Sequence, residues 1–508
     1  MKGVFMSIYI TASMLYSHIQ CAHRVWRDVH GPQEEKSLEP NPFVQLLWDR
    51  GVQHEEAIIK TMGDFIDLST GSIEERFKKT LEEMKRGTPL IFQGVITYNG
   101  LLGIPDLLRN ENGAYVPIDI KSGKGLEGVD EGEDDEGKPK KHYAVQIGLY
   151  IDVLKGLGFA RDHRGLVIDI EGREIEYLLD RPQGPKTPHT LWDVYQEVKA
   201  EVQSLVANQS HNKPALAGVC KLCPWYASCK QWCKETNDLT NIFYLGRAKR
   251  DTMNVDLGID VVKELYKVNV ARLLSRKKSD KSFLKGVGEG YLNQFVKRAK
   301  IMAEKMPPVL YYPVALPKVS KELYFDIEDD PTQGVVYLHG VYEMPSGRFI
   351  YFMADDNSKE VEKRAWAEFW GYIKSLSAGD YAVYYYSHHE KTTYKKLQAK
   401  HPGVISQEEV VAFFDNPNVI DLYKITLQKT DWPLSSYGIK EIATYLGFKW
   451  RDQTPSGALS IQWYNEYLQT KDKGLLKRIL EYNEDDCRAM EYLVRWIKNY
   501  KASAVVKT

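Results

Sequence analysis

The 508-residue sequence predicts an α/β chain in which two blocks of mixed strands and helices are joined by a helical, basic segment. Three observations carry that expectation. From about Val309 to the C-terminus, strand and helix patterns alternate, as in an α/β domain. Upstream of about Asn241, amphipathic helical patterns enclose short apolar strand runs. Between the two blocks, twelve Lys or Arg face four Asp or Glu from Lys263 to Lys305. The expected domains are 1–241, 242–308 and 309–508, in keeping with a length prior of about three domains.

Composition narrows the class. The formal net charge is −1, so a polyanionic partner would be held by local basic patches and not by a global field. Six cysteines are too few and too unevenly placed for a disulfide framework, and four of them fall between Cys220 and Cys233. That crowding points to metal ligation in a reducing compartment. No run of about 18 apolar residues is present, so no membrane span is expected. The apolar start (Val4 to Leu15) lacks a small-residue cleavage site, and the expected location is the cytoplasm.

In chain order, helical patterns cover Ala12–Val29, Phe43–Met62 and Ser72–Arg86. Strand runs follow at Leu90–Tyr98, Gly103–Leu108 and Tyr115–Lys121. The stretch from Gly123 to Lys141, acidic from Glu127 to Glu136 and basic beyond it, reads as an inserted loop. A helix (Tyr143–Leu154), two strands (Gly165–Ile170, Glu174–Leu179) and a helix (Leu191–Val206) complete the first block. The third block opens on a strand, Leu323–Ile327.

Two strand-borne acidic patterns stand out in the first block. Gly103-Ile104-Pro105-Asp106 is followed by Asp119-Ile120-Lys121, where the two-residue period of a strand puts Asp119 and Lys121 on one face. Two carboxylates can hold a divalent cation that polarises a phosphate and acidifies an attacking water. A lysine can offset the developing charge. Gln146 and Tyr150 share one helical face, and His54 follows Gly51 on an earlier helix. Alone, each pattern is a solvated surface feature. Together, Gly-x-x-His, Gly-x-x-Asp, Asp-x-Lys and Gln-x-x-x-Tyr in this order resemble the RecB-like PD-(D/E)xK nucleases, of restriction-endonuclease-like fold. The resemblance implies that His54, Asp106 and Asp119 bind Mg²⁺ or Mn²⁺, that Lys121 is catalytic, and that Gln146 and Tyr150 orient the site.

Cys220, Cys223 and Cys229 form a compact thiolate group. With Cys21 they make four ligands, enough for Zn²⁺ or for a [4Fe–4S] cluster, and local spacing does not choose. The distant first cysteine resembles the iron–sulfur staple of RecB-family nucleases, including CRISPR-associated exonucleases and the nuclease subunits of recombination helicases. That resemblance implies a 4Fe-4S cluster on Cys21, Cys220, Cys223 and Cys229, with Cys233 as the alternative to Cys229. It also implies a helicase or defence complex as a partner. Cys487 reads as an ordinary buried cysteine.

In the middle segment, Phe283–Gly288 and Tyr291–Ala299 resemble a helix-hairpin-helix, whose Gly-x-Gly turn offers backbone N–H groups to a phosphate. Lys281, Lys285, Lys297 and Arg298 would add salt-sensitive affinity. A glycine-containing turn on a solvated basic helix pair is the competing reading.

In the third block, Asp326 and Glu328 share one face of an apolar strand, and Tyr482 and Asp486 share one face of a late helix. These residues resemble DnaQ-like exonucleases of the ribonuclease H-like fold (DEDD type), which activate water between two metals about 4 Å apart. The resemblance implies metal ligation by Asp326, Glu328 and Asp486, and water orientation by Tyr482. Glu390 stands for the middle acid where Asp is usual, and Asp421 is the alternative. Ser436–Lys440 and Tyr445–Phe448 are further stretches similar to that family.

No Gly-x-x-x-x-Gly-Lys-[Ser/Thr] loop is present, so no ATPase motor is expected. The expected function is a metal-dependent DNA nuclease acting on single strands or ends, in repair or anti-phage defence. Two alternatives stay open: a nucleic-acid-binding protein with one inactive nuclease domain, and an RNA exonuclease.

Overall fold

The computed structural model describes residues 8–39, 41–128, 137–184 and 187–500. Residues 129–136 of the expected acidic loop, and residues 1–7 of the apolar start, lie outside the described residues. The chain forms two compact units, 1–214 with 219–229, and 215–218 with 230–508.

The first unit is organised by a six-stranded mixed sheet in the order Glu174–Leu178, Arg164–Ile168, Ala114–Ile120, Leu107–Glu111, Leu90–Phe92, Ile66–Asp67. Strand Ala114–Ile120 is buried along all but its first residue, which is why its sequence is nearly all apolar. It pairs antiparallel with Leu107–Glu111 and parallel with Arg164–Ile168. Helix Lys141–Gly156, most of whose residues are buried, supplies the main helical layer of this core.

Local breaks in the expected elements carry information. The run 90–98 is not one strand. Leu90–Phe92 joins the large sheet and Ile96–Tyr98 joins a three-stranded one, with Gln93 between them at φ 53°. Likewise Leu101–Gly103 and Leu107–Glu111 belong to different sheets, so Asp106 sits in the crossing just after Pro105 and not on a strand. Proline has no N–H for a ladder, which favours a break there. The helix expected over 12–29 is two helices, Ala12–Gln20 and Ala22–His30. Cys21 lies between them in extended conformation. Its N–H closes the first helix on Ser17 O and its carbonyl accepts from Arg24 N. The break lifts Cys21 out of helical geometry.

The second unit holds a five-stranded sheet in the order Arg348–Met353, Val335–Met344, Lys321–Asp330, Tyr381–Tyr385, Val419–Asp421. The first three strands are antiparallel and the last two run parallel to the central one. Asp326 lies opposite Gly340, and a bulge falls between Glu328 and Asp329. The 27-residue helix Lys473–Asn499 packs a continuous buried face that includes Tyr482, Asn483 and Asp486.

The basic helices Gly246–Leu257, Val262–Leu265, Val270–Ser279 and Glu289–Ala303 belong to this unit and share their own apolar core. Arg298, expected as a nucleic-acid contact, is instead 2% exposed. It falls on the buried stripe of its helix with Leu292 and Phe295. Its Nε donates to Asp431 Oδ1 at 2.6 Å and its Nη1 to Phe243 O at 2.9 Å. The pair therefore ties the helical segment to the strand Thr430–Asp431.

Removing one member of a buried ion pair strands the other charge, at a cost of about 3–5 kcal/mol. Arg298→Ala should lower the melting temperature by several degrees, and Asp431→Asn in the same chain should recover part of the loss. A single variant that melts with the wild type would contradict this role.

Candidate active sites

In the first unit the structure gathers Asp106, Asp119, Lys121 and Tyr150. Asp106 is held by its flanks: Oδ2 accepts Ile120 N at 2.6 Å, and Oδ1 accepts Gln93 Nε2 at 3.2 Å. Asp119 is 2% exposed, and the Lys121 ammonium lies 2.7 Å from its Oδ2. Lys121 stands one residue past its strand, but its N–H continues the ladder to Ile168 O at 2.8 Å. The buried Tyr150 hydroxyl bonds Asp119, and burial holds it well above its ordinary pKa. Gly103 is required by close approach, since a Cβ there would lie 2.6 Å from the Tyr150 ring.

Burial, with the Asp119 charge behind it, pushes Asp106 up to about 8. Burial works against the Lys121 charge, yet Asp119 and Asp106 outweigh it and raise its pKa. Gln146 Oε1 is buried without a hydrogen-bond partner. Acids that are costly to ionise together, with an acceptor oxygen left over beside them, fit a divalent cation. His54 Nε2 lies 3.0 Å from Asp169 O. A carbonyl only accepts, so Nε2 carries the proton and Nδ1 is the acceptor nitrogen. Metal-binding histidines commonly use that arrangement. The ligand atoms of His54, Asp106 and Asp119 are not gathered within 4.8 Å of one another, unlike the trio of the second unit.

None of the six cysteines is in a disulfide. Burial pushes the Cys229 thiol up to about 12, Arg27 pulls it down, and the nearby sulfurs of Cys223, Cys21 and Cys220 raise it further. The sulfurs of Cys21, Cys220, Cys223 and Cys229 thus lie near one another, as four ligands of one metal group would. Cys233 is buried in the second unit, where the Thr240 hydroxyl points to its Sγ at 3.8 Å. Polar contacts join helix Ala22–His30 of the first unit to residues 189 and 197 positions later in the chain. Trp225 Nε1 donates to Asp28 Oδ1 at 2.9 Å, and His23 pairs with Asn212 Oδ1 at 2.8 Å.

In the second unit, Asp326, Glu328 and Asp486 each offer a ligand oxygen within 4.8 Å of the others. Among the described residues this is the one group of three or more such ligands at that spacing. Burial is the main force on all three pKa values, followed by the Glu328 charge for Asp326 and by the Asp486 charge for Glu328. Glu328 is pushed up to about 8 and Asp326 well above its ordinary value. Asp486 is raised as well, against the pull of Lys440. Glu390 is 3% exposed, accepts from Ser387 Oγ at 3.2 Å, and is pushed up to about 7 by burial; its charge also raises Asp326. Asp421 instead caps the next helix, accepting Lys424 N at 2.9 Å, though its charge still reaches Glu390.

Sequence reasoning missed the residues that hold these acids. Asn483 Nδ2 donates to Asp326 Oδ2 at 2.8 Å and to Glu328 Oε1 at 3.3 Å. Trp450 Nε1 donates to Asp486 Oδ1 at 2.7 Å. The Lys440 ammonium donates to Tyr482 OH at 2.5 Å and lies 3.6 Å from Asp486 Oδ2. Gly340 makes room for Asn483, whose Oδ1 would sit 1.7 Å from a Cβ. In the first unit, Gln93 Nε2 bridges Glu55 Oε1 at 2.9 Å and Asp106. Lys440 and Asn483 lay inside motif stretches, and Glu55 follows His54. No sequence signal marks Gln93 or Trp450.

Comparison with known proteins agrees with this geometry. Residues 20–230 match the model of the PD-(D/E)XK nuclease superfamily, and residues 323–498 match a model of the RNase H superfamily. No curated protein matches the chain. The chain therefore carries two nuclease-superfamily domains, and the described residues include no helix long and apolar enough to cross a membrane.

Two outcomes follow from the second site. Because the folded pKa values of Glu328 and Glu390 lie above their ordinary ones, their contribution to metal-free stability is greatest at low pH. It is lost as pH rises through about 7 to 8. Divalent metal competes with those protons, so the rise in melting temperature on adding Mn²⁺ should be larger at pH 8.5 than at pH 5.5. An equal rise at both would contradict the acid assignment. Gly340→Ala should displace Asn483 and weaken Mn²⁺ binding about tenfold or more, the usual loss when a ligand's support is removed, measured by calorimetry.

Proposed function

We propose that the chain is a metal-dependent nuclease that hydrolyses DNA phosphodiester bonds on single strands or at ends, with an active site in each nuclease-superfamily domain. The observation that carries the reading is the buried trio Asp326, Glu328 and Asp486, whose oxygens stand at ligand spacing. Mg²⁺ or Mn²⁺ held there would supply Lewis acidity and an acidified water. Tyr482, steered by the Lys440 ammonium, is positioned to orient that water. Glu390 serves as the fourth acid, one methylene longer than the usual Asp.

In the first unit Asp106 and Asp119, with His54 through Nδ1, are the metal ligands. Lys121 offsets negative charge developing on the phosphate, and Gln146 and Tyr150 orient the site. Cys21, Cys220, Cys223 and Cys229 hold a [4Fe–4S] cluster that closes the first unit on itself. The proximity of their four sulfurs supports that reading. Repair or anti-phage defence is the setting such an activity suits.

With Mn²⁺ and end-labelled strands, Lys121→Ala should remove one product pattern, and Asp326→Ala with Glu328→Ala the other. Each loss should reach roughly a thousandfold, several kcal/mol of transition-state stabilisation. A Lys121→Ala chain that cleaves as wild type sinks the first assignment. A double variant with wild-type products on DNA and RNA leaves the second domain without catalysis.

Anaerobically purified chain should contain iron and be brown, and Cys21→Ser should lower both the iron content and the melting temperature. Stoichiometric zinc without iron would replace the cluster by a zinc staple.

A further inference from the structure

We propose that a cleft in the second unit binds single-stranded nucleic acid by stacking bases on Tyr291 and Tyr312; the inference rests on the nuclease reading and names where a strand is held. The cleft measures about 620 Å³. One wall is a single face of helix Glu289–Ala303, since Gly290, Asn293, Gln294 and Lys297 recur at helical spacing. The facing wall is Tyr311 and Tyr312, with Gln428 from helix Leu422–Lys429.

The chemistry of the lining selects the ligand. Tyr312 is 67% exposed and Tyr291 42%; the Tyr291 ring stacks on Phe295 and carries the Lys249 ammonium over it, which an incoming base would displace toward a phosphate. Stacking on such faces is tolerant of base identity, because every base has a π-face. A duplex keeps those faces covered. Asp431 at the base is already neutralised: Arg298 pairs with it and the Tyr311 hydroxyl donates to it at 2.9 Å. Lys297 is the other charged residue of the lining, and the exposed Glu289 stands between Gly288 and Gly290 in the first turn of the helix. Lys297 lies 5.3 Å from the Tyr311 ring and Lys249 4.9 Å from the Tyr291 ring, where ammonium groups can meet phosphates beside a stacked base. The amides of Asn293 and Gln294 can donate or accept, which suits base edges and sugars of any sequence.

The glycines at the cleft mouth point the same way. Gly288 has φ −74°, open to any residue, and a Cβ at Gly288 or Gly290 would meet nothing within 4 Å. Neither packing nor backbone conformation asks for glycine. Bare backbone there leaves the first-turn N–H groups of the helix open to a phosphate.

The test uses the full chain in EDTA, so that binding is read without hydrolysis, with a fluorescent 20-nucleotide oligo-dT strand and a matched duplex. Replacing both tyrosines by alanine should weaken single-strand binding about tenfold per tyrosine, and Tyr→Phe at both should keep wild-type affinity. Lys297→Gln should reduce the salt slope by about 0.7. A strand carrying 5-iodouracil, irradiated on the wild type, should crosslink to Tyr291 or Tyr312.

If the wild type binds and the alanine pair binds equally well, or no crosslink maps to the cleft, the inference falls and the nuclease reading stands. If phenylalanine loses as much as alanine, stacking is not the mode and the proposal is overturned. Equal loss on the duplex overturns single-strand selectivity. A wild type with no affinity for any nucleic acid overturns both readings.

Discussion

Repulsion among buried carboxylates is the constraint on which the second unit depends. Asp326 and Glu328 are placed by a strand with apolar neighbours, and Asp486 is brought to them by the long helix Lys473–Asn499. Burial alone costs an ion several kcal/mol, and a second like charge adds to it. A fold maintains such an arrangement by surrounding it with donors. Asn483 serves Asp326 and Glu328, Trp450 serves Asp486, and Lys440 supplies one positive charge against several negative ones. The residual negative charge is what a divalent cation complements. Gly340 shows how far the packing is shaped around this need, because the space a side chain would fill is given to Asn483.

The first unit repeats the logic with different parts. Asp106 and Asp119 oppose each other, Lys121 offsets some of that charge, and Gln93 holds Asp106 together with Glu55 through one amide. Gln93 does so from a left-handed backbone, an unfavourable conformation for a residue with a side chain, and one that tends to persist at functional sites. Its carbonyl is fixed in turn by Arg76 at 2.7 Å. Burial also opposes ionisation of the Cys223 and Cys229 thiols, with like neighbours adding to it.

Much of this was legible in the sequence, and the boundary is physical. Both nuclease-superfamily folds were readable because their motif residues recur at the short spacings that strands and helices impose, as in Asp119 to Lys121 and Tyr482 to Asp486. Helix Leu191–Val206 was readable to its ends because a Thr190–Asp193 capping box marks its start and apolar periodicity fixes its body. The breaks were not readable. Gln93 turns the chain from one sheet into another, and hydrophobic content alone does not record a change of sheet. Arg298 looked like a surface cation because its buried partner, Asp431, lies 133 residues away. Asn483 and Trp450 matter through tertiary contacts that no local pattern encodes.

The proposed function requires divalent cation binding at both acidic sites. The most direct measurement is Mn²⁺ calorimetry at pH 7 in two buffers of different ionisation enthalpy. Burial and neighbouring acids push Glu328 and Asp106 up to about 8, so a metal that binds there should displace protons. The account predicts Mn²⁺ binding with net proton release, reduced but not abolished when Asp326 and Glu328 are replaced by Asn and Gln. Absence of binding at millimolar Mn²⁺, or binding whose heat is the same in both buffers, would contradict it.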